Sequence, residues 1–153
     1  MLYNNCVYKI LQTEKYKKWF KKLRDTTAKF AIGQRIDRMK VGNFGDSKTV
    51  GEGTMIMEKL TEFDMAEYLD TEELQQGYLD YNAQEGTPED MLRAINTVAR
   101  ARGMTKTAKE AGITRDGLYK ALSPDGNPAF TTVCKILRAI GYTLTPTRIK
   151  KMD

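Results

Sequence analysis

The stretch MTKTAKEAGITRDGLYKALS, Met104 to Ser123, holds the residues of this chain best suited to chemistry. Thr105, Lys106, Thr114, Arg115, Asp116, Gly117, Tyr119 and Lys120 are polar, cationic or small, and their spacing places them outward on two successive short helices. Such side chains read duplex DNA. Arg115 can pair bidentately with guanine, while Lys106 and Lys120 suit phosphates. Tyr119 can stack on the backbone or meet a thymine methyl. Asp116 is repelled by phosphate unless it accepts from cytosine or orients Arg115. Gly117 weakens its helix by about 1 kcal/mol relative to alanine but permits close approach to a sugar-phosphate chain.

Other chemistries find little support. The chain has no histidine, which removes Ser-His, Cys-His and His-metal mechanisms. Its two cysteines, Cys6 and Cys134, lie far apart without a CxxC pair, so neither a zinc site nor a disulfide framework is expected. Glu72 and Glu73 are adjacent carboxylates, but acids at a helix start favour the dipole and nothing converges on them. We therefore expect no catalytic residue, no metal, no cofactor and no enzymatic activity.

The elements that must position the DNA-facing residues are written in the surrounding sequence. Ala108 and Gly112 are four apart, and Ile113 and Leu118 follow, the pattern of a helix-turn-helix. Ala108 is small where the helices cross, and Gly112 supplies a positive φ in the turn. Ala111, Ile113, Leu118, Ala121 and Leu122 face the core, and Thr114 caps the second helix. Upstream, Thr87-Pro88-Glu89-Asp90 opens a helix through Met91, Leu92, Ile95, Val98 and Ala99 that ends at Gly103. Downstream, the turn-rich Ser123–Pro128 leads to a last helix over 131–139, with Phe130, Val133, Ile136, Leu137 and Ile140 as its buried stripe and Cys134 as a small core residue. Gly141 ends it, and Tyr142-Thr143-Leu144-Thr145 alternates like a short strand.

Charge is distributed in blocks. Residues 1–53 hold 12 Lys/Arg against 5 Asp/Glu, residues 54–86 hold 1 against 9, and residues 87–153 hold 12 against 6, giving the net +5. We read these as three units: an N-terminal piece, an acidic linker with a docking helix, and the DNA-binding domain. In the acidic unit Thr71 starts a helix that Gly86 ends, with Leu74, Tyr78 and Tyr81 in one stripe. Phe63, Tyr68, Leu69, Leu74 and Tyr78 are aromatic and aliphatic anchors in acidic surroundings, suited to docking a basic partner. No apolar run reaches the roughly 18 residues a bilayer demands, so a cytoplasmic protein with no membrane partner is expected.

The N-terminal piece reads as a strand over Cys6–Gln12, a helix capped by Thr13 with Tyr16, Trp19, Phe20 and Leu23 on its apolar side, and a second helix over Ala28–Lys40. In that helix Ala28, Ile32, Ile36 and Met39 face inward and Arg35 and Arg38 outward. A lone strand and a two-helix hairpin are only part of a domain. The run QTEKYKKWFKKLRD…IGQRIDRMKVGNFGDSKTVGEG resembles the N-terminal half of HigB-like toxins of the RelE/ParE superfamily, in which a catalytic sheet for messenger RNA cleavage follows. Here the match stops at Gly53, so no catalytic residue is carried over.

ARARGMTKTAKEAGITRDGLYKALSPDGNPAFTTVCKILRAIGYTL resembles the helix-turn-helix domain of the HigA-like addiction-module antidote family, and the likeness extends back to about Met57. The two resemblances imply a mainly α chain: a Cro/repressor-like helix-turn-helix domain preceded by a strand and two-helix toxin remnant. They imply an antitoxin and transcriptional autorepressor of a type II toxin–antitoxin module, fused to an inactive toxin fragment. Its partners would be double-stranded operator DNA, a RelE/ParE-type toxin and a second copy in a homodimer. The rival reading is a ribosome-dependent, messenger-cleaving toxin held inactive by its tethered antitoxin.

Overall fold

The computed structural model describes residues 8–45, 60–146 and 148. Local signals set the first elements. The Thr13 hydroxyl accepts from the Tyr16 amide at 3.1 Å, ending strand β1 (Leu11–Thr13) and starting helix α1 (Glu14–Lys22). Asp25 does the same for helix α2 (Thr26–Lys40), accepting from the Ala28 amide at 2.9 Å. The strand is shorter and later than expected, and Cys6 and Val7 lie outside the described residues.

Strand β1 finds its partner in an unexpected place. Leu60–Glu62, inside the acidic segment, forms strand β2 antiparallel to it, with Leu11 opposite Glu62 and Thr13 opposite Leu60. Three residues are too few for periodicity to reveal. Gln12 reinforces the pair: its amide donates to the Glu62 carbonyl at 3.3 Å and accepts from the Tyr68 hydroxyl at 2.6 Å.

The buried faces of α1 and α2 differ from the expected ones. Phe20 is fully buried, with edge contacts to Tyr68 at 4.7 Å and Phe63 at 5.4 Å, whereas Trp19 is 49% exposed. On α2 Ile32 and Ile36 of the expected stripe pack against the core but are only half-buried; the most deeply buried face also includes Phe30, Gly33, Gln34 and Asp37, and Arg38 is half-buried instead of exposed. The polar residues on this face are partnered. Gln34 donates to the Asn82 side chain at 2.9 Å, and the Tyr78 hydroxyl donates to Asp37 at 3.0 Å, so these groups enter the core already satisfied. Burial pushes the Asp37 carboxyl up, only partly opposed by Lys40, and burial with the Asp37 charge pushes the Tyr78 phenol up. Gly33 admits Met65: a Cβ there would lie 2.6 Å from its sulfur.

After a 3-10 turn, Met65–Tyr68, helix α3 (Glu72–Glu85) begins at Thr71 and ends at Gly86, as expected. Its buried face is Gln75, Tyr78, Leu79 and Asn82, leaving Leu74 and Tyr81 only half-buried. Helix α4 (Pro88–Arg102) carries the expected proline start and a reciprocal capping box between Thr87 and Asp90. Asp90 also accepts from Arg38 of α2 at 2.5 Å and from Arg93 at 2.5 Å while being 1% exposed. Burial by itself would raise its carboxyl; the hydrogen bonds from Arg38, the Thr87 amide and Arg93 overcome this and hold it well below the usual carboxylate range. Ala94, Ile95, Val98 and Ala99 of α4 lie at the centre of a hydrophobic core that receives Phe20 and Phe30, Phe63 to Leu79, and Leu118 to Ile140. The acidic segment is therefore packed structure along residues 60–86 rather than a linker, while 54–59 lie outside the described residues.

The C-terminal helices are α5 (Met104–Ala111), α6 (Arg115–Ala121) and α7 (Phe130–Ala139). Ile136, Leu137 and Ile140 are buried as expected, but Phe130 is 70% exposed because it opens α7 rather than lying on its inner stripe. Cys134 is half-buried, not a core residue. Gly141 stops α7 at φ +81°, and 142–145 form no strand among the described residues; Leu144 is 43% exposed. Among the described residues no helix is long and apolar enough to cross a membrane.

Two measurements check this packing. Phe63→Ala should cost about 3–5 kcal/mol in urea unfolding, whereas Phe130→Ala should change stability by no more than about 0.5 kcal/mol. Asp90→Asn should cost about 3 kcal/mol at pH 7, because it strands two guanidinium partners. The depressed Asp90 carboxyl contributes stability that is full above the unfolded carboxyl value of about 4 and falls away progressively below it, so the gap between wild type and Asp90→Asn should narrow as unfolding is followed from pH 7 to about pH 2.

Candidate nucleic-acid interface

Helix α5 begins with an uncapped turn at Gly103, whose φ of +100° reverses the chain after α4. Ala108 is 3% exposed against the neighbouring helices, and Gly112 takes the left-handed conformation at φ +66°. The Gly112 amide closes back on Lys109 at 3.2 Å and the Ile113 amide on Ala108 at 3.1 Å. Thr114 then caps α6 by accepting from the Gly117 amide at 3.0 Å. Each local signal expected for this turn is present.

One side of α6 is committed to the core. Leu118 is fully buried and Leu122 nearly so, with Ile113 and Ala121 half-buried beside them. The helical period therefore forces the remaining positions outward. Thr114, Arg115, Asp116, Gly117 and Lys120 are exposed, Tyr119 is half-buried, and Thr105 and Lys106 are exposed on α5. The residues singled out from sequence thus line two successive helices packed on one another. Gly117 also has a local reason to be small, since a Cβ there would sit 2.9 Å from the capping Thr114 hydroxyl.

Arg115 and Tyr119 form a unit. The guanidinium lies over the Tyr119 ring, 5.5 Å from its centre, and donates to the hydroxyl at 3.4 Å. The tyrosine hydrogen bond and charge raise the guanidinium further, so it stays cationic. This pairing limits the rotamers the arginine samples, which lowers the entropy lost when it engages a flat acceptor edge. Asp116 makes no ion pair with Arg115 among the described residues; the side chain in contact with the guanidinium is Tyr119. Beside α6 runs an open groove of about 810 Å³, lined by Thr114, Gly117 and Lys120 on one wall and by Asn127, Pro128 and Thr132 on the other. The second wall was not singled out from sequence, although the turn-rich Ser123–Pro128 loop was its signal.

The five anchors expected to dock a separate toxin are placed differently. Phe63, Tyr68, Leu69 and Tyr78 are buried and Leu74 half-buried, and Phe20 of α1 and Phe30 of α2 pack on Phe63, Tyr68 and Tyr78. Polar contacts accompany the packing: Lys17 with Glu67 at 3.0 Å, Arg38 with Asp90, and the Gln12–Tyr68 and Gln34–Asn82 pairs. On α4 itself, Arg100 holds Asp64, and Arg102 donates to Gln75 at 2.7 Å and lies over the Tyr142 ring. The charge blocks allow the basic N-terminal segment to occupy the acidic one, but which residues pair, 27 to 56 positions apart, is not written in the sequence.

A family model described as "probable addiction module antidote protein" matches residues 59–148. An uncharacterized protein of Haemophilus influenzae is 51% identical over 83 residues, covering 54% of this chain and 86% of that protein. No solved structure matches.

A substitution checks the turn that sets the angle between α5 and α6. Gly112→Ala should lower stability by about 1 kcal/mol or more, read by thermal unfolding, because alanine is strained at a left-handed φ.

Proposed function

Since the chain belongs to the family of probable addiction module antidote proteins, we propose that it is an antitoxin that binds operator DNA through α5 and α6 and represses its own toxin–antitoxin operon. The observation that carries this reading is the outward face of α6: with Leu118 and Leu122 buried, Arg115, Asp116 and Lys120 have nowhere to point but away from the body. A short helix held proud of a compact core by a glycine turn is the form that enters a major groove. In this reading α6 supplies base contacts and Lys106 of α5 meets phosphate. The Arg115–Tyr119 pair presents two N–H groups to guanine, and Lys120 meets the backbone. Recognition of a two-half-site operator calls for two copies about one helical turn apart, so the binding species is a homodimer.

The basic N-terminal segment, residues 1–53, is in our reading a remnant of a RelE/ParE-type toxin without enzymatic activity. Its strand–helix–helix order suits that resemblance. Where the toxin family would continue its own sheet, β1 pairs with β2 of the antitoxin region. The described sheet has two strands of three residues each, a poor platform for positioning messenger RNA, so we do not favour the tethered ribonuclease. Toxin capture is the other activity that family membership implies.

Operator fragments selected from random duplex DNA supply the test. Arg115→Ala should relax base preference at one position in each half-site at a cost of about 1–3 kcal/mol, and Lys106→Ala should weaken binding to all sequences alike and flatten the salt dependence. A gel-shift titration in which neither change alters binding rejects the groove assignment.

A further inference from the structure

The family match begins at residue 59, after β1, α1 and α2, so these elements lie outside the region the family shares. In this chain they pack on Phe63, Met65, Tyr68 and Tyr78, each no more than 5% exposed. A chain made of the family region alone leaves that apolar face bare. The Haemophilus influenzae relative, whose 83 aligned residues are 86% of it, is only about 97 residues long, little more than the family region. Contiguous bare apolar faces of this kind are unfavourable in water and mark sites of association.

We infer that this face is a docking surface for a separate chain bearing a basic, aromatic helix pair, and that residues 8–45 are its tethered occupant and shut that chain out. The chemistry of the partner is read from the occupant. Phe20 packs edge-on against the stacked Phe63–Tyr68 pair, and Phe30 meets Tyr78 at 5.7 Å and Tyr81 at 6.3 Å. Around these rings the match is base against acid, Lys17 to Glu67 and Arg38 to Asp90. A strand edge adds backbone pairing. Charge along the sequence follows the same sense, 12 Lys/Arg against 5 Asp/Glu in residues 1–53 and 1 against 9 in residues 54–86. Buried aromatic anchors ringed by complementary charge are the anatomy of a binding interface.

The tether decides the competition. A segment joined by a short covalent connection faces its site at an effective concentration of about 1 mM, so an equally complementary separate chain at about 1 μM loses by about a thousandfold. The inference rests on the antitoxin reading only for the natural identity of the excluded chain, which would be a toxin. The consequence is an antitoxin-like protein that keeps its α5–α6 face open while its docking face is closed.

A dye-labelled synthetic peptide of residues 8–45 serves as the probe, followed by anisotropy against the full chain. Phe20→Ala loosens the resident segment but leaves the surface intact, so that variant should take up the peptide at least a hundredfold more tightly than the unaltered chain. Equal uptake by both chains, or none by either, overturns the inference. If circular dichroism shows that Phe20→Ala does not fold, Arg38→Ala is read in the same way, with at least a tenfold gain expected. If both fail to fold, hydrogen exchange on the unaltered chain decides: α1 and α2 should open together ahead of α4, and exchange only through global unfolding overturns it. Peptide uptake bears on this surface and the Arg115→Ala gel shift on the groove, so either reading can fail without the other.

Discussion

Asp90 is the joint of the molecule. One buried carboxylate closes the capping box that starts α4 and accepts from Arg93 a turn later. It also reaches across to Arg38 of α2, 52 residues earlier in the chain. Removing a carboxylate from water is expensive, and it is tolerated here because its oxygens are fully engaged by two guanidinium groups and a backbone amide. The same contacts fix the start of α4 and seat the N-terminal segment on it. The burial of Phe20 and Phe30 follows from that seating.

The division of labour between the two ends of the chain follows from where apolar surface is spent. Residues 8–45 and 60–102 bury aromatic faces against each other, and several polar groups taken inside there pair across elements, as with Gln34 and Asn82 or Tyr78 and Asp37. Helix α5 packs against α4 and α7, and α6 packs on α5 through a narrow stripe, leaving Thr105, Lys106, Arg115 and Lys120 in solvent. A surface that must meet a polyanion has to be kept out of a core, and the short apolar stripe of α6 achieves this with Leu118 and Leu122.

Much of the element boundary pattern was legible because it is local chemistry. Thr13, Thr71, Thr87 and Thr114 each cap the helix that follows, and Gly103, Gly112 and Gly141 each take positive φ at a helix end. The outward set on α6 was legible for the same reason, since Leu118 and Leu122 fix which side faces in. The faces of α1 and α2 were less so. Apolar periodicity favoured Ala28, Ile32, Ile36 and Met39; Ile32 and Ile36 do meet the core, but Phe30, Gly33 and the partnered Gln34 and Asp37 are buried more deeply. Strand β2 and the exposure of Phe130 were missed because a three-residue strand has no period and a residue at the first turn of a helix need not lie on its buried stripe.

By itself the sequence determined where helices start and stop, which residues of α5 and α6 stand outward, and that charge alternates in basic, acidic and basic blocks. These depend on interactions within a few residues, which a linear string contains. Only the tertiary structure decided that the first basic block lies on the acidic one, that β1 pairs with β2, and that the aromatic anchors of the antidote region are covered. Those outcomes depend on side chains about fifty residues apart meeting with matched shape, charge and hydrogen-bonding groups, and chain order alone does not encode that proximity.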